Sequence, residues 1–253
     1  MIYRYHMNTY SYNLQTFYNE DAISYYLLGA FMTDGNVYVR ANQNKPNSKV
    51  VSISSKDEDW IEIINSYICP ESQIIKKGNC SSVRYFSSEL GDWFESKGCG
   101  PNKSLTLEMP NVPEHYMRDF IRGCWDGDGS LSFTQRSKTG NSFKMNGHLT
   151  SGSKLFCEKL SKIINNLGIY CTLEQHDSPE RKIEGRILQP STAWRVVIGA
   201  QTSIYDLCKY LYTHQDISMP RKLQIANKII NFRENSTNPI MKKNTDNSIF
   251  RYY

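Results

Sequence analysis

The sequence predicts an α+β protein built from two related halves, each in the order α-β-β-α-β-β-α. Three observations carry this. Residues 27–35 (LLGAFMTDG) and 121–129 (IRGCWDGDG) each run an apolar segment of helical character into Asp-Gly. Set in register, they place Asp34 against Asp128, 94 positions later. Each is then followed by alternating apolar and polar residues, the period of a half-buried strand.

The first half reads as follows. A helix spans about 21–33, with Asn19 as N-cap and Glu20 and Asp21 in the first turn, where acids suit the helix dipole. A strand follows over 36–42, with Val37 and Val39 facing the core and Tyr38 and Arg40 facing away. A polar turn (43–48) leads to a second strand (49–54) and a helix (57–67). Strands near 73–77 and 83–86, a helix over 88–96 and a short basic turn, Pro101-Asn102-Lys103-Ser104-Leu105, complete it.

The second half repeats that order. Pro113 is tolerated in a first helical turn, and the helix should run to about Asp126. A strand over 130–136 has Leu131 and Phe133 inward, Thr134 and Arg136 outward. A turn (137–141), a strand (142–150), a helix (153–167), strands at 170–175 and 194–198 and a helix (202–212) follow. The basic turn recurs as Pro220-Arg221-Lys222-Leu223. Residues 177–192 read as a polar loop, the longest unmatched insert. Divided this way, 1–18 is an N-terminal arm, 19–112 and 113–233 are the halves, and 234–253 is a polar tail.

Composition narrows the function. The chain has 253 residues and a net charge of +5, with mean hydropathy −0.55. No apolar run reaches the roughly 18 residues of a membrane span. The first residues lack the basic-then-apolar order of a signal peptide. The expectation is an intracellular protein of a bacterial or phage-infected cytoplasm or an organelle matrix, not a secreted one. Seven scattered cysteines without a CxxC pair argue for reduced thiols and against a zinc ribbon. The mild positive charge permits a polyanionic partner.

The Asp-Gly helix ends suggest chemistry. Gly29 and Thr33, like Gly123 and Gly127, lie four apart on one helix face. Small residues there let two helices cross closely, offsetting the cost of about 1 kcal/mol for a helical glycine. Crossed in this way, the helices would bring Asp34 and Asp128 side by side at C-termini, where the dipole and mutual repulsion disfavour carboxylates. A divalent cation resolves both conflicts, and few hard oxygen ligands suit Mg²⁺. A calcium loop starting at Asp126 is excluded: its sixth position is Leu131, not glycine, and its twelfth is Ser137, not glutamate.

These residues resemble the LAGLIDADG motif of homing endonucleases, and the double copy resembles the single-chain members of that family over about residues 20–233. The resemblance implies two motif helices at the interface of the halves, each half giving a saddle-shaped antiparallel sheet to the DNA major groove. It implies Asp34 and Asp128 as metal ligands, aided by the backbone carbonyls of Thr33 and Gly127. Two or three Mg²⁺ ions, replaceable by Mn²⁺, would serve hydrolysis of both strands of a long target. It further implies Lys103 and Lys222 as active-site lysines, and Ser54 and Thr150 (or Ser151) as residues that position water. Met32 stands where the motif has its earlier acid. Asp126, in the corresponding place of the second copy, is expected as a cap or a support for the ligands.

The outward strand residues expected on DNA are Tyr38, Arg40, Asn42, Ser52, Arg84, Thr134, Arg136, Lys144, Asn146, His148 and Arg195. Arg and Lys can bond guanine edges or phosphates, and Asn can pair with adenine. The reading is therefore a monomeric, Mg²⁺-dependent double-strand DNA endonuclease of the intron-homing kind, with no membrane role. The alternative is an intron-splicing maturase binding intron RNA on the same scaffold without cleavage. A phosphate-ester hydrolase with a closed pocket is the third.

Overall fold

The computed structural model describes residues 10–40, 48–135, 143–183 and 186–235. A short helix, α1 (Gln15–Tyr18), precedes the first long one, α2 (Ala22–Thr33). Asp21, not Asn19, caps α2, its carboxylate accepting from the Ser24 N–H at 2.9 Å. Asn19 instead closes α1, and Glu20 breaks the two apart with φ of 48°. Every residue from Ser24 to Met32 is buried, so α2 is a central helix and not an amphipathic surface one.

Strands β1 (Gly35–Arg40) and β2 (Ser48–Ser55) lead to α3 (Glu58–Ile68). Strands β3 (Ile75–Lys77) and β4 (Cys80–Tyr85) lead to α4 (Ser88–Ser96) and then to a 3₁₀ turn at Lys103–Leu105. A second 3₁₀ turn, Glu114–Tyr116, takes up the segment after Pro113. The second motif helix, α5 (Met117–Asp128), therefore starts later and ends two residues further on than the sequence suggested. Then come β5 (Gly129–Gln135), β6 (Phe143–Ser151), α6 (Lys154–Asn166), β7 (Thr172–Ser178), β8 (Arg181–Ile183), β9 (Arg186–Leu188), β10 (Ser191–Ile198), α7 (Gln201–Tyr212) and α8 (Pro220–Glu234).

The sheets are antiparallel, in the orders β1-β2-β4-β3 and β5-β6-β10-β7. One face of each is packed under helices. Val37, Val51, Ile53, Val83 and Tyr85 fill the first core, and Leu131, Met145, Leu149, Val196 and Ile198 the second. The opposite faces are open. Val39 departs from its expected inward position and is 48% exposed. It pairs with Lys49, whose stem lies against Gly91 and whose ammonium reaches Asp92 and Glu95 of α4, so the apolar layer ends before this row. Phe133 is half-buried, stacked on Phe143 at 4.7 Å with Phe232 of α8 against both.

Two further differences have physical reasons. Residues 177–192 are not a plain loop: β7 and β10 stay paired out to Ser178 and Ser191, and β8 and β9 form their own ribbon. Backbone ladder bonds hold these strands, so no apolar alternation announces them. The turn at Pro220 is the first turn of a 15-residue helix, where a missing N–H costs no intrahelical bond and proline's fixed φ suits the helix start. Among the described residues no helix is long and apolar enough to cross a membrane.

Helices α2 and α5 cross at the centre of one core shared by both halves. A Cβ at Gly29 would lie 2.2 Å from the Phe120 carbonyl oxygen, and one at Gly123 would lie 2.0 Å from that of Tyr26. The close approach is therefore backbone on backbone, and no other residue fits.

Candidate active site

The crossing delivers both motif aspartates to one end of the helix pair. Asp34 is the C-cap of α2 and Asp128 the last residue of α5. A Cβ at Gly127 would touch Thr33 Oγ1 at 2.0 Å and lie 3.5 Å from the Asp34 nitrogen, so the two helix ends are in contact. Burial raises the Asp34 carboxyl above its usual range, against the pull of Lys222 and Lys103. Asp128 is pushed up to about 6, first by desolvation and then by the charge of Asp34. Asp128 is exposed at the notch that the two helix ends form, yet the protein around it displaces much of its hydration. Among the described residues neither carboxylate makes a hydrogen bond or ion pair. No three His, Cys, Asp or Glu side chains converge there either. The donor set is two carboxylates plus backbone oxygens.

Both lysines are buried and not solvated surface residues. Lys103 Nζ donates to the Gly35 carbonyl, just past α2. Lys222 Nζ donates to the carbonyls of Trp125 (2.7 Å), Asp126 (2.5 Å) and Gly127 (3.1 Å) at the end of α5, the first of which also accepts the Gly129 N–H. Burial lowers the Lys222 ammonium to about 8, with Asp126 pulling the other way. Each lysine thus places positive charge at one motif-helix terminus, and both pull on the two aspartates, Lys222 more strongly than Lys103.

Ser54 is exposed at the inner end of β2. It lines an open cleft of about 620 Å³ with Asp34, Asp57, Cys80, Gly127 and Arg221. Thr150 faces the open side of its sheet and accepts from Arg195 Nε at 3.2 Å. Ser151 points to the helical side and accepts from the Ser153 N–H at 3.2 Å, a turn that Ser55 repeats with Asp57. Ser151 is therefore a turn residue and not part of the notch.

Asp126 is a buried hub. It accepts from Tyr26 (2.7 Å), Tyr212 (2.6 Å) and the Met219 N–H (2.8 Å), and Trp60 donates to Tyr26 at 2.7 Å. Burial raises its carboxyl, and the donors and Lys222 counter this. Its first-half counterpart, Met32, is simply packed. Arg122, paired with Asp119 at 2.6 Å, bonds the Ile217 and Leu211 carbonyls and fixes α5 to the segment leading into α8. Sequence reasoning missed Asp57, which Arg221 grips through two bonds of 2.6 and 2.8 Å. The partners are 164 positions apart, and nothing local marks them.

Strand β1 starts one residue after Asp34 and β5 one residue after Asp128, so the notch lies where the two open faces meet. By register, Tyr38, Arg40, Ser52 and Arg84 share the first open face with Asn36 and Ser82. Arg40 sits over the Phe86 ring at 5.9 Å. Thr134, Lys144, Asn146, His148 and Arg195 share the second with Ser130 and Ser132. Ser132 Oγ donates to the Asn146 side-chain Oδ1. Burial, then Arg195 and His176, lower the His148 imidazole. One acid intrudes: Glu174 pairs across from Arg195 on this face. Asn42 and Arg136 lie outside the described residues.

Comparison with known proteins follows this geometry. Residues 115–211 match the family model of a LAGLIDADG-like domain. Mesophilic variants of the homing endonuclease I-DmoI superpose with a TM-score of 0.56 at 19% identity, covering 83% of this chain and 99% of theirs. I-DmoI in complex with DNA and Ca gives 0.54 at 19% identity, with the same coverage. The meganuclease I-SmaMI bound to uncleaveable DNA gives 0.56 at 15% identity, covering 88% of this chain and 95% of that one. No curated protein sequence matches.

Proposed function

From a chain that carries a LAGLIDADG-like domain and has the fold of the single-chain LAGLIDADG homing endonucleases, we propose a site-specific double-strand DNA endonuclease. The observation that carries this reading is the pair of unpartnered carboxylates, Asp34 and Asp128, held together at the seam of two open, cation-bearing sheet faces. I-DmoI has been seen with DNA and Mn or Ca, which supports the same ligand classes here.

The residues fit a divalent metal. Two carboxylates that repel each other, at helix ends already rich in carbonyl oxygen, form a hard-oxygen site with too few protein ligands to complete a shell, as Mg²⁺ prefers. Asp34 and Asp128 would hold it, with the Thr33 and Gly127 carbonyls. When bound, such ions supply an activated water and stabilise the leaving oxygen of a phosphodiester. The chain does the rest. Lys103 and Lys222 hold positive charge beside the scissile phosphates. Ser54 and Thr150, at the inner strand ends, orient water. The sheet residues set register and read base edges, with Tyr38, Arg40, Ser52 and Arg84 on one side and Thr134, Lys144, Asn146, His148 and Arg195 on the other. Both halves come from one chain, so a monomer suffices.

The test is cleavage of DNA flanking the gene's own insertion point, with Mg²⁺, Mn²⁺ or Ca²⁺. Asp34→Asn and Asp128→Asn should bind this DNA and not cut it. Normal cutting by both variants would falsify the ligand assignment. A splicing role without cleavage needs no carboxylate pair, and the intact pair favours the nuclease.

A further inference from the structure

Each basic turn docks on the opposite half, and the two dockings differ. The first-half turn meets the second half through backbone: a Cβ at Gly152 would lie 2.6 Å from the Ser104 carbonyl oxygen, and Ser153 Oγ donates to the Leu107 carbonyl at 2.6 Å. The second-half turn meets the first half through an ion pair, Arg221 to Asp57. In the repeat, Asn102 stands where Arg221 does and Ser153 where Asp57 does, so the bridge has no twin.

The bridge sits one residue from Lys222. Three neighbours at the start of α8 are each tied to something different. The Met219 N–H bonds buried Asp126, Arg221 bonds Asp57 of the other half, and Lys222 bonds the last carbonyls of α5. Asp57 and Arg221 also line the cleft that holds Asp34 and Ser54. The Arg221 side chain is 54% exposed, so the pair adds little stability. Its two parallel bonds fix direction instead, since a planar guanidinium grips a carboxylate in one orientation.

We propose that the Asp57–Arg221 bridge is a one-sided latch between the halves that positions Lys222, so that losing it impairs one catalytic side more than the other. Asp57 and Arg221 are positioning residues here, acting through Lys222. The strand-selective part rests on the nuclease reading; the positioning part does not.

Two measurements test it on the full chain, with Arg221→Gln, Arg221→Lys and Asp57→Asn. The first is the rate at which Lys222 reacts with an amine-modifying reagent, mapped by mass spectrometry without DNA. It should rise several-fold in Arg221→Gln and Asp57→Asn, and less in Arg221→Lys, which keeps the charge and loses the fork. Thermal unfolding of each variant verifies that the fold persists. The second is cleavage of duplex labelled separately on each strand. One strand should slow by about ten- to a hundredfold relative to the other, the scale of a small misplacement at a reacting centre. Unchanged Lys222 reactivity in folded variants overturns the latch whether or not the protein cuts DNA. Equal slowing of both strands overturns its one-sidedness. A wild type that cuts nothing refutes the nuclease reading and leaves the lysine measurement to decide the latch.

Discussion

Replacing Gly123 by alanine sets two opposing effects against each other. In an isolated helix the change is favourable by about 1 kcal/mol, because alanine surrenders less backbone entropy. In this fold the new Cβ would lie 2.0 Å from the Tyr26 carbonyl oxygen and 2.9 Å from the Ala30 nitrogen. Both are backbone atoms of a helix buried on all sides, so neither can swing away. Ordinary contact begins near 3.4 Å, so α2 and α5 must part by roughly 1.4 Å at that point. Overpacking of this kind typically costs about 1–3 kcal/mol, and a gap of about 1 Å forfeits up to half the dispersion energy of each opened contact. The clash outweighs the propensity gain, for a net loss of about 2 kcal/mol. In a protein of this size that lowers the melting temperature by about 4–8 °C. Gly199→Ala, where nothing lies within 4 Å, is the control and should melt like the wild type. Scanning calorimetry reads both variants. Because the same crossing brings Asp34 to Asp128, cleavage by Gly123→Ala at a temperature where it is folded should fall by about a hundredfold. If Gly123→Ala melts at or above the wild-type temperature, the helices do not cross backbone to backbone and the site has been built on a wrong premise.

Other consequences are as direct. Tyr212→Phe keeps the ring and removes one of three donors to the buried Asp126 carboxylate, so it should cost about 1–3 kcal/mol, read as a lower urea midpoint at unchanged slope. Alkylation of the native protein should modify Cys80 alone. Cys69, Cys124 and Cys208 are enclosed, and burial pushes Cys99 and Cys171 up to about 11 and Cys157 to about 12; all seven should react after denaturation, counted by intact mass. Arg221 holds the Asp57 carboxyl below its usual range, so the bridge contributes stability above the ordinary carboxylate value of 3.8 and loses it as pH falls through the depressed native value. Asp57→Asn should therefore be less stable than wild type at pH 7, by about 0.5 kcal/mol after solvent screening, and equal to it near pH 2. A difference that persists in acid would assign the loss to something other than charge.

Much of this architecture is written in local pattern. The helices that carry Asp34 and Asp128 announce themselves by apolar runs ending in Asp-Gly, and β1, β2, β5 and β6 by alternation. Repetition makes each half a check on the other. What the pattern hides is of two kinds. Ends and edges depend on what lies across the fold: Val39 is bare because the neighbouring position is taken by Lys49, whose ammonium is drawn to Asp92 and Glu95 of α4, and α8 begins inside a segment that sequence marks only by its basic turn. Polar partnerships depend on tertiary closure. Lys222 finds the carbonyls of α5 from nearly a hundred positions away, Asp126 collects donors from α2, α7 and the segment before α8, and Asp57 meets Arg221 across the halves. No spacing rule encodes such meetings. The residue types at Lys222 and Asp126 were legible; their partners were not.

The open faces share a backbone plan and differ in nearly every side chain. Arg40 and Arg84 on one answer to Lys144, Asn146, His148 and Arg195 on the other. A dimer of identical subunits presents the same chemistry left and right and is indifferent to turning its ligand end for end. This chain has no such indifference. For the nuclease reading, a duplex and its end-for-end rotation are two distinct ligands, and the preferred site has a direction as well as a sequence.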